Sequence, residues 1–218
     1  MPEALGLTPV ATVERLSVYL RTLEEVKSEG KEYISSKEIG KRNGFSPAQV
    51  RKDLSCFGNF GRKGKGYQID ILIDTLREIL GVNQRWNTAI MGLGYIGKAF
   101  ANSKTIANSN FDLQAIFDID EKKIGKKYNG IPIYGIDDLP EIAEKMKIQI
   151  AIISVPSGVA KLSIQRVLSA GISGILNFTE ARIPLGKNFV MKNMNLAGEL
   201  ETIAYFLSCP ECSCKDST

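Results

Sequence analysis

The chain contains no histidine. That absence removes the Ser-His and Cys-His nucleophile arrangements, His-ligated zinc and the commonest general base. Cysteine is scarce. Cys56 stands alone and Cys209, Cys212 and Cys214 sit within the last ten residues, which is not a secreted disulfide framework. No apolar run approaches the roughly 20 residues of a membrane span. The opening Met1-Pro2-Glu3-Ala4 lacks the basic region and apolar core of a signal peptide. These absences predict a cytoplasmic protein with no membrane segment. They also leave no residue assigned to catalysis or to a metal.

What is present is ordinary in amount and uneven in placement. Apolar residues make up 44% and charged residues 24% of 218 residues, a globular composition long enough for two small domains. The net charge is +4, yet Lys37 to Tyr67 alone carries eight Lys/Arg against two acids, a local +6. The rest of the chain is therefore slightly acidic. Such segregation is a footprint of a nucleic-acid face.

Apolar spacing divides the chain near Gly81–Asn87, giving domains 1–84 and 85–218. Before the break the spacing is helical. Thr12 is a candidate cap for a first helix that turns Val13, Leu16, Leu20 and Leu23 inward and stops at Gly30. Ser35 or Ser36 caps a short second helix that stops at Asn43-Gly44. Ser46-Pro47 starts a third, with an N-cap hydroxyl followed by proline at the first helical position. This helix turns Val50, Leu54 and Phe57 inward and leaves Gln49, Arg51, Lys52 and Asp53 mostly outward. Gly58 ends it. Gly61–Tyr67 reads as a tight basic hairpin, and a fourth helix spans 70–80.

After Asn87 short β-rich runs alternate with helices. Strands are expected over 88–92, 113–117, 131–134, 148–155, 174–178 and 189–191, and a last helix over 195–207. Its Leu196, Leu200, Ile203, Ala204 and Leu207 share one face. Strand-helix alternation predicts a doubly wound parallel sheet.

Two motifs carry chemistry. Gly92-Leu93-Gly94-Tyr95-Ile96-Gly97 is a G-x-G-x-x-G between an expected strand and an expected helix. Its glycines allow a tight turn, close approach of a pyrophosphate, and close helix-strand packing. Asp118 follows 21 residues after Gly97, at the end of the second strand. A carboxylate there accepts hydrogen bonds from ribose hydroxyls and repels a 2′-phosphate, which favours NAD(H). Lys122 and Lys123 read as a solvated helix start. The bland alternative is an α/β domain with an unused glycine turn.

The second motif is the pair of short helices followed by a basic hairpin, a winged helix-turn-helix whose third helix would enter a major groove. Gln49 and Arg51 suit base edges; Lys52, Arg62, Lys63 and Lys65 suit phosphates. The alternatives are a solvated charge run or a protein-binding helical domain.

The run Gln49-Val50-Arg51-Lys52-Asp53-Leu54-Ser55, then Phe57-Gly58, Phe60-Gly61, Gly64 and Gly66-Tyr67, resembles the Rex family of redox-sensing transcriptional repressors. So does the downstream order of the glycine motif, Phe117-Asp118-Ile119-Asp120, Lys122, Ile124-Gly125, Val155-Pro156 and Ile175-Leu176-Asn177-Phe178. The resemblance covers residues 12–208 and joins two unrelated motifs in one order. It implies an N-terminal winged helix-turn-helix domain and a C-terminal Rossmann-like sheet. It also implies a cytoplasmic homodimer with an exchanged C-terminal helix. Such a protein binds palindromic double-stranded operator DNA when NAD⁺ dominates and leaves it when NADH rises.

By position, the family's cofactor set maps to Gly92 through Gly97, Asp118, Ile119, Ser154, Val155, Pro156, Asn177 and Phe178. Core packing is the competing role for Val155, Pro156 and Phe178. Ser46, Ser55 and Tyr67 join Gln49, Arg51, Lys52, Arg62, Lys63 and Lys65 in the DNA-facing set. Many members carry Asp where this sequence has Asn195, and some a tyrosine near Ser103 that couples to Arg15; only Arg15 is present here.

Two other functions compete. A sensor of another adenine nucleotide, such as coenzyme A, would keep the winged helix. An NAD-dependent dehydrogenase would explain the glycines but not the basic hairpin. The cysteine tail admits either a zinc site or a frayed end, and Cys56 reads as buried packing.

Overall fold

The computed structural model describes residues 8–209 apart from residues 63, 185 and 187. These residues form two compact units; the chain passes from the first to the second between Gln84 and Arg85 and returns to the first at Phe206.

The first unit opens with α1 (Val10–Ser28). Leu16, Tyr19, Leu20, Leu23 and Val26 are buried at helical spacing, whereas Val13 faces outward. Pro9, not Thr12, stands at the N-cap, and the Thr12 hydroxyl instead accepts from Arg15 Nη2 at 3.2 Å. After β1 (Tyr33–Ile34), the Ser35 hydroxyl accepts from the Glu38 amide and starts α2 (Ser36–Asn43). Gly44, at φ +72°, ends it in the left-handed region that glycine tolerates. α3 (Pro47–Ser55) begins as expected, with the Ser46 hydroxyl accepting from the Gln49 amide at 3.1 Å. It stops three residues before Gly58.

β2 (Gly61–Arg62) and β3 (Gly66–Gln68) make the wing. β3 pairs antiparallel with both β2 and β1, giving the sheet order β1-β3-β2. The strand β1, too short to show a period of two, was not expected. Gly66 is required twice over: its φ is +84°, and a Cβ would overlap the Ile34 carbonyl across the β1–β3 pair. α4 (Ile69–Ile79) closes the unit by laying Ile69, Leu72, Ile73 and Leu76 on the same core.

Beyond Thr12 and Val13, two more expectations fail in this unit. Asp53 is buried, 2% exposed, because it points at α1 rather than at solvent. Cys56, expected in the core, is exposed beyond the end of α3.

The second unit is a seven-stranded sheet. It comprises β4 (Trp86–Met91), β5 (Phe111–Asp118), β6 (Lys127–Tyr128), β7 (Ile131–Gly135), β8 (Ile150–Ile153), β9 (Gly174–Asn177) and β10 (Val190–Asn193). The order is β10-β9-β8-β4-β5-β7-β6, parallel except for the β6–β7 hairpin. The connections carry α5 (Tyr95–Ala101), a single turn α6 (Lys104–Ala107), a 3-10 turn (Ile136–Asp138), α7 (Leu139–Lys145) and α8 (Ser157–Ser169). The buried runs Ala89–Met91, Ala115–Phe117 and Ala151–Ile153 are covered on both faces, as parallel strands require. β5 and β8 lie on opposite sides of β4, so the strand order reverses there. In an open α/β sheet that is where a ligand crevice forms, outside the carboxyl ends of the strands.

α9 (Leu196–Ser208) ends the described chain. The Asn195 side chain accepts from the Gly198 amide at 3.2 Å and caps it, a role in which Asn and Asp are equivalent. Leu196, Leu200, Ile203 and Leu207 are each more than half exposed. The tail from Pro210, with Cys212 and Cys214, lies outside the described residues. Among the described residues no helix is long and apolar enough to cross a membrane.

Candidate functional site

The cleft of the second unit has a volume of about 440 Å³, within the range of small-molecule sites. It sits at the carboxyl ends of β4, β5 and β8. Gly92, Leu93 and Gly94 form one wall, Asp118 and Ile119 another, and Ser154, Val155 and Pro156 a third.

The three glycines of the motif do different things. A Cβ at Gly97 would overlap the Gly92 carbonyl and lie 3.1 Å from Ile90 Cγ2, so α5 can meet β4 only through glycine. Gly92 has φ +92°, and its Cβ would lie 2.9 Å from Val155 Cγ1. Gly94 is unlike both. Its φ is −84°, and a Cβ there would meet nothing nearer than the Ser154 carbonyl oxygen at 3.9 Å. The fold does not need glycine at 94. A ligand seated against the backbone does. The first amides of α5, the helix that follows Gly94, have no intrahelical acceptors.

Asp118 is 9% exposed. Its Oδ2 accepts from the Leu93 amide at 2.9 Å, which ties the end of β5 to the glycine turn, and its Oδ1 accepts from the Asp120 amide at 2.9 Å. Lys123 Nζ lies 2.9 Å from Oδ2 and 3.5 Å from the Leu93 carbonyl oxygen. Burial pushes the Asp118 carboxyl up; the two amides and the ammonium outweigh it and hold the group below its ordinary range. Asp118 is thus an ionised acceptor with one side of Oδ1 left for a hydroxyl. The sequence places Lys123 at a solvated helix start; in the structure it is the counterion of the cleft carboxylate. The signal was its distance of five residues from Asp118 in a turn-rich segment. Val159, Leu162 and Arg166 of α8 also line the cleft and were not foreseen.

Other residues expected at the cofactor divide sharply. Ile119 is exposed at the cleft mouth, suited to flank a planar base. Ser154 donates to the Gly92 carbonyl at 2.9 Å and holds the turn. Tyr95 and Ile96, on the first turn of α5, do not line the cleft. Asn177 does not reach it either. Its side chain is fully buried, donating to the Ala181 carbonyl and to Asn193 Oδ1 and accepting from the Thr179 amide and hydroxyl. It shapes the loop after β9. Phe178 packs edge-on against Phe100, with centroids 5.2 Å apart, in the core on one face of the sheet.

In the first unit, a crevice of about 740 Å³ runs between α3 and the wing. Arg51, Ser55, Arg62 and Lys65 line it, and all four are exposed. Ser46 and Lys52 are exposed on the same helix. Arg51 Nη1 donates to the Ser36 hydroxyl at 3.1 Å, which bridges α3 to α2. Lys65 Nζ lies 5.7 Å above the Tyr33 ring, a cation–π contact at the wing base. Two residues of the expected DNA-facing set are engaged by the protein itself, although Tyr67 also lines the crevice. Tyr67 is only 8% exposed and belongs to the core, with burial pushing its hydroxyl pKa up. Gln49 is half-buried, and its Nε2 donates to Asp53 Oδ1 at 2.8 Å. Lys63 lies outside the described residues.

Asp53 is the residue that sequence reasoning missed. Arg15 Nε and Nη2 fork onto its two oxygens, each at 2.7 Å, and Tyr19 Oη donates at 2.8 Å. Burial raises the carboxyl; the hydrogen bonds from Arg15, Tyr19 and Gln49 outweigh it, so it stays ionised below its ordinary range. Burial beside that carboxylate pushes Tyr19 up. Arg15 of α1 thus gives two guanidinium nitrogens to the third helix.

A family model described as a putative DNA-binding protein N-terminus matches residues 8–55, and one described as a CoA binding domain matches residues 83–181. The chain is 38% identical to the redox-sensing transcriptional repressor Rex of Syntrophobacter fumaroxidans, over 92% of its own length and 96% of that protein's. The chain belongs to the Rex family of redox-sensing transcriptional repressors. The Rex of Brevibacillus brevis is similarly close, 38% identical over 91% and 96%. Among solved structures, the Rex-family repressor RSP in complex with β-NAD⁺ and operator DNA superposes with a TM-score of 0.88 at 33% identity, covering 94% of each chain. RSP in complex with β-NADH gives 0.84 at 31%, covering 94% and 96%. The winged helix-turn-helix and Rossmann architecture read from the sequence is the Rex architecture. As a Rex-family protein the chain is a DNA-binding regulator, not an enzyme.

Proposed function

We propose that this Rex-family chain is a repressor that holds palindromic operator DNA when NAD⁺ dominates and releases it when NADH rises. The observation that carries the reading is the pairing, in one chain, of a basic wing beside α3 with a cleft whose carboxylate and open glycine suit an unphosphorylated adenosine ribose and a pyrophosphate. Gly92 to Gly97 and Asp118 would hold the cofactor's adenosine half, with Ile119 against the base and Ser154 to Pro156 along the far wall. Arg51, Ser55, Arg62 and Lys65, with Ser46, Gln49, Lys52 and Lys63, would face the DNA. Asn177 and Phe178 would support the cleft from behind, and Tyr67, buried in the core, would form part of the floor of the crevice beside the wing. The exposed apolar stripe of Leu196, Leu200, Ile203 and Leu207 supports a homodimer in which α9 docks on the second subunit. A cytoplasmic location follows from the same reading.

NAD⁺ and NADH differ by one hydride and one charge on the nicotinamide. Equal affinity for both domain arrangements would shift nothing, however tight the binding. A roughly 100-fold preference of NADH for the DNA-incompetent arrangement is worth about 2.7 kcal/mol.

The test is operator binding at fixed salt, titrated with NADH with and without NAD⁺, and with coenzyme A as competitor. Release by NADH opposed by NAD⁺ is expected. Release by coenzyme A alone would transfer the cleft to that ligand, and indifference to all three would remove the redox reading.

A further inference from the structure

Asp53 is a carboxylate with its four acceptor positions filled. Oδ1 takes Arg15 Nη2 and Gln49 Nε2, and Oδ2 takes Arg15 Nε and Tyr19 Oη, at 2.7 to 2.8 Å. It is 2% exposed and lies one helical turn beyond Gln49 on α3. No other carboxylate among the described residues is held so completely by its hydrogen bonds.

The arrangement bears on what Gln49 can read. An ionised carboxylate only accepts, so the Gln49 atom that faces Asp53 is the nitrogen. That settles which way the carboxamide points. One N–H is spent on Asp53; the second N–H and the oxygen take no other hydrogen-bond partner among the described residues and are left in a fixed order. Adenine offers a donor at N6 beside an acceptor at N7, which matches an oxygen and an N–H in that order. Guanine offers two acceptors, so the held oxygen would meet O6. An unheld glutamine can turn its amide over and donate to either purine.

We infer that Asp53 is a specificity-determining positioning residue, which pins the Gln49 carboxamide so that α3 accepts adenine and rejects guanine at one operator position. Arg15 and Tyr19 extend the support into α1, so the reading edge of α3 is braced by the helix behind it. The inference rests on the operator-binding reading of α3, and its test keeps the two separable.

The experiment measures the affinity of the full chain for a family-type operator and for its set of single base-pair substitutions, at fixed salt. Wild type, Gln49→Ala, Asp53→Asn and the double variant are compared. Gln49→Ala identifies the base pair concerned as the one position where adenine preference collapses. Asp53→Asn is expected to reduce the adenine-over-guanine ratio at that same position by about tenfold, the scale of one bidentate base contact. In the Gln49→Ala background the Asp53 substitution should change the ratio no further. A uniform loss across all substituted operators would make Asp53 merely structural and overturn the inference. So would a Gln49→Ala variant that binds with an unaltered base profile, although operator binding itself would then still stand. If Asp53→Asn does not fold, wild-type side-chain amide exchange decides. One Gln49 proton exchanging far more slowly than those of exposed glutamines supports the inference; two fast protons refute it.

Discussion

In the N-terminal unit the candidate contact groups are tips of exposed side chains, Arg51, Lys52, Arg62 and Lys65, standing outside the buried core. In the C-terminal unit they are backbone amides, one buried carboxylate and the space beside a glycine. The first surface is redundant and graded: each cation adds its own increment of phosphate attraction. The second is geometric: a single methyl in the wrong place alters the cleft. Substitutions should therefore act differently in the two units, and also differently within the glycine motif itself.

The largest effect is expected at Gly97. A Cβ there meets a backbone carbonyl, which cannot swing away, so Gly97→Ala should cost about 1–3 kcal/mol of stability as overpacking does. Thermal unfolding followed by circular dichroism would show it even with no ligand present. Gly94→Ala sharpens the contrast, because its methyl enters open space. Its unfolding midpoint should stay at the wild-type value while NADH affinity falls by about tenfold or more, the cost of pushing a bound pyrophosphate off the backbone. If Gly94→Ala bound NADH normally, the cleft would not hold the cofactor in the way proposed. If it unfolded early, the two glycines would not divide fold from function. On the other surface, Lys52→Ala should weaken all operator sequences alike and reduce the slope of log affinity against log salt by about one. A loss confined to one base pair would make Lys52 a reader rather than an anchor.

The same contrast explains what could be read before the structure was known. The glycine motif and Asp118 were legible because backbone geometry imposes a spacing on the sequence, and that spacing survives in one chain read alone. The helix starts at Ser35 and Ser46 were legible for the same reason, as cap chemistry is local. What was not legible depends on contacts between distant segments. Asp53 looks outward by helical spacing until Arg15, 38 positions earlier, is placed opposite it. Asn177 ends a strand and so resembled a ligand contact, yet the turn to Ala181 and the neighbouring Asn193 together take up its side chain. Tyr67 sits in a basic hairpin but turns inward, because β3 pairs on both edges and needs a core-facing residue.

The smallest predicted effect concerns Lys123, and it lies where the two kinds of surface meet, a mobile cation beside a fixed carboxylate. Its ammonium reaches Asp118 Oδ2 at 2.9 Å while the side chain remains a third exposed. A partly exposed pair of this kind is worth about 0–1 kcal/mol. Lys123→Met should therefore leave NADH affinity within about fivefold of wild type, since Asp118 keeps the Leu93 and Asp120 amides. The cofactor carrying a 2′-phosphate is affected differently. Asp118 repels that phosphate and Lys123 partly offsets the repulsion, so removing the ammonium should lower NADPH affinity more than NADH affinity. Fluorescence titration of both reduced cofactors measures the ratio, which should widen in favour of NADH by up to about fivefold. A ratio that narrows would mean that Lys123 holds the unphosphorylated ribose directly, and that the cleft recognises its ligand through a side-chain tip after all, as the DNA-facing unit does.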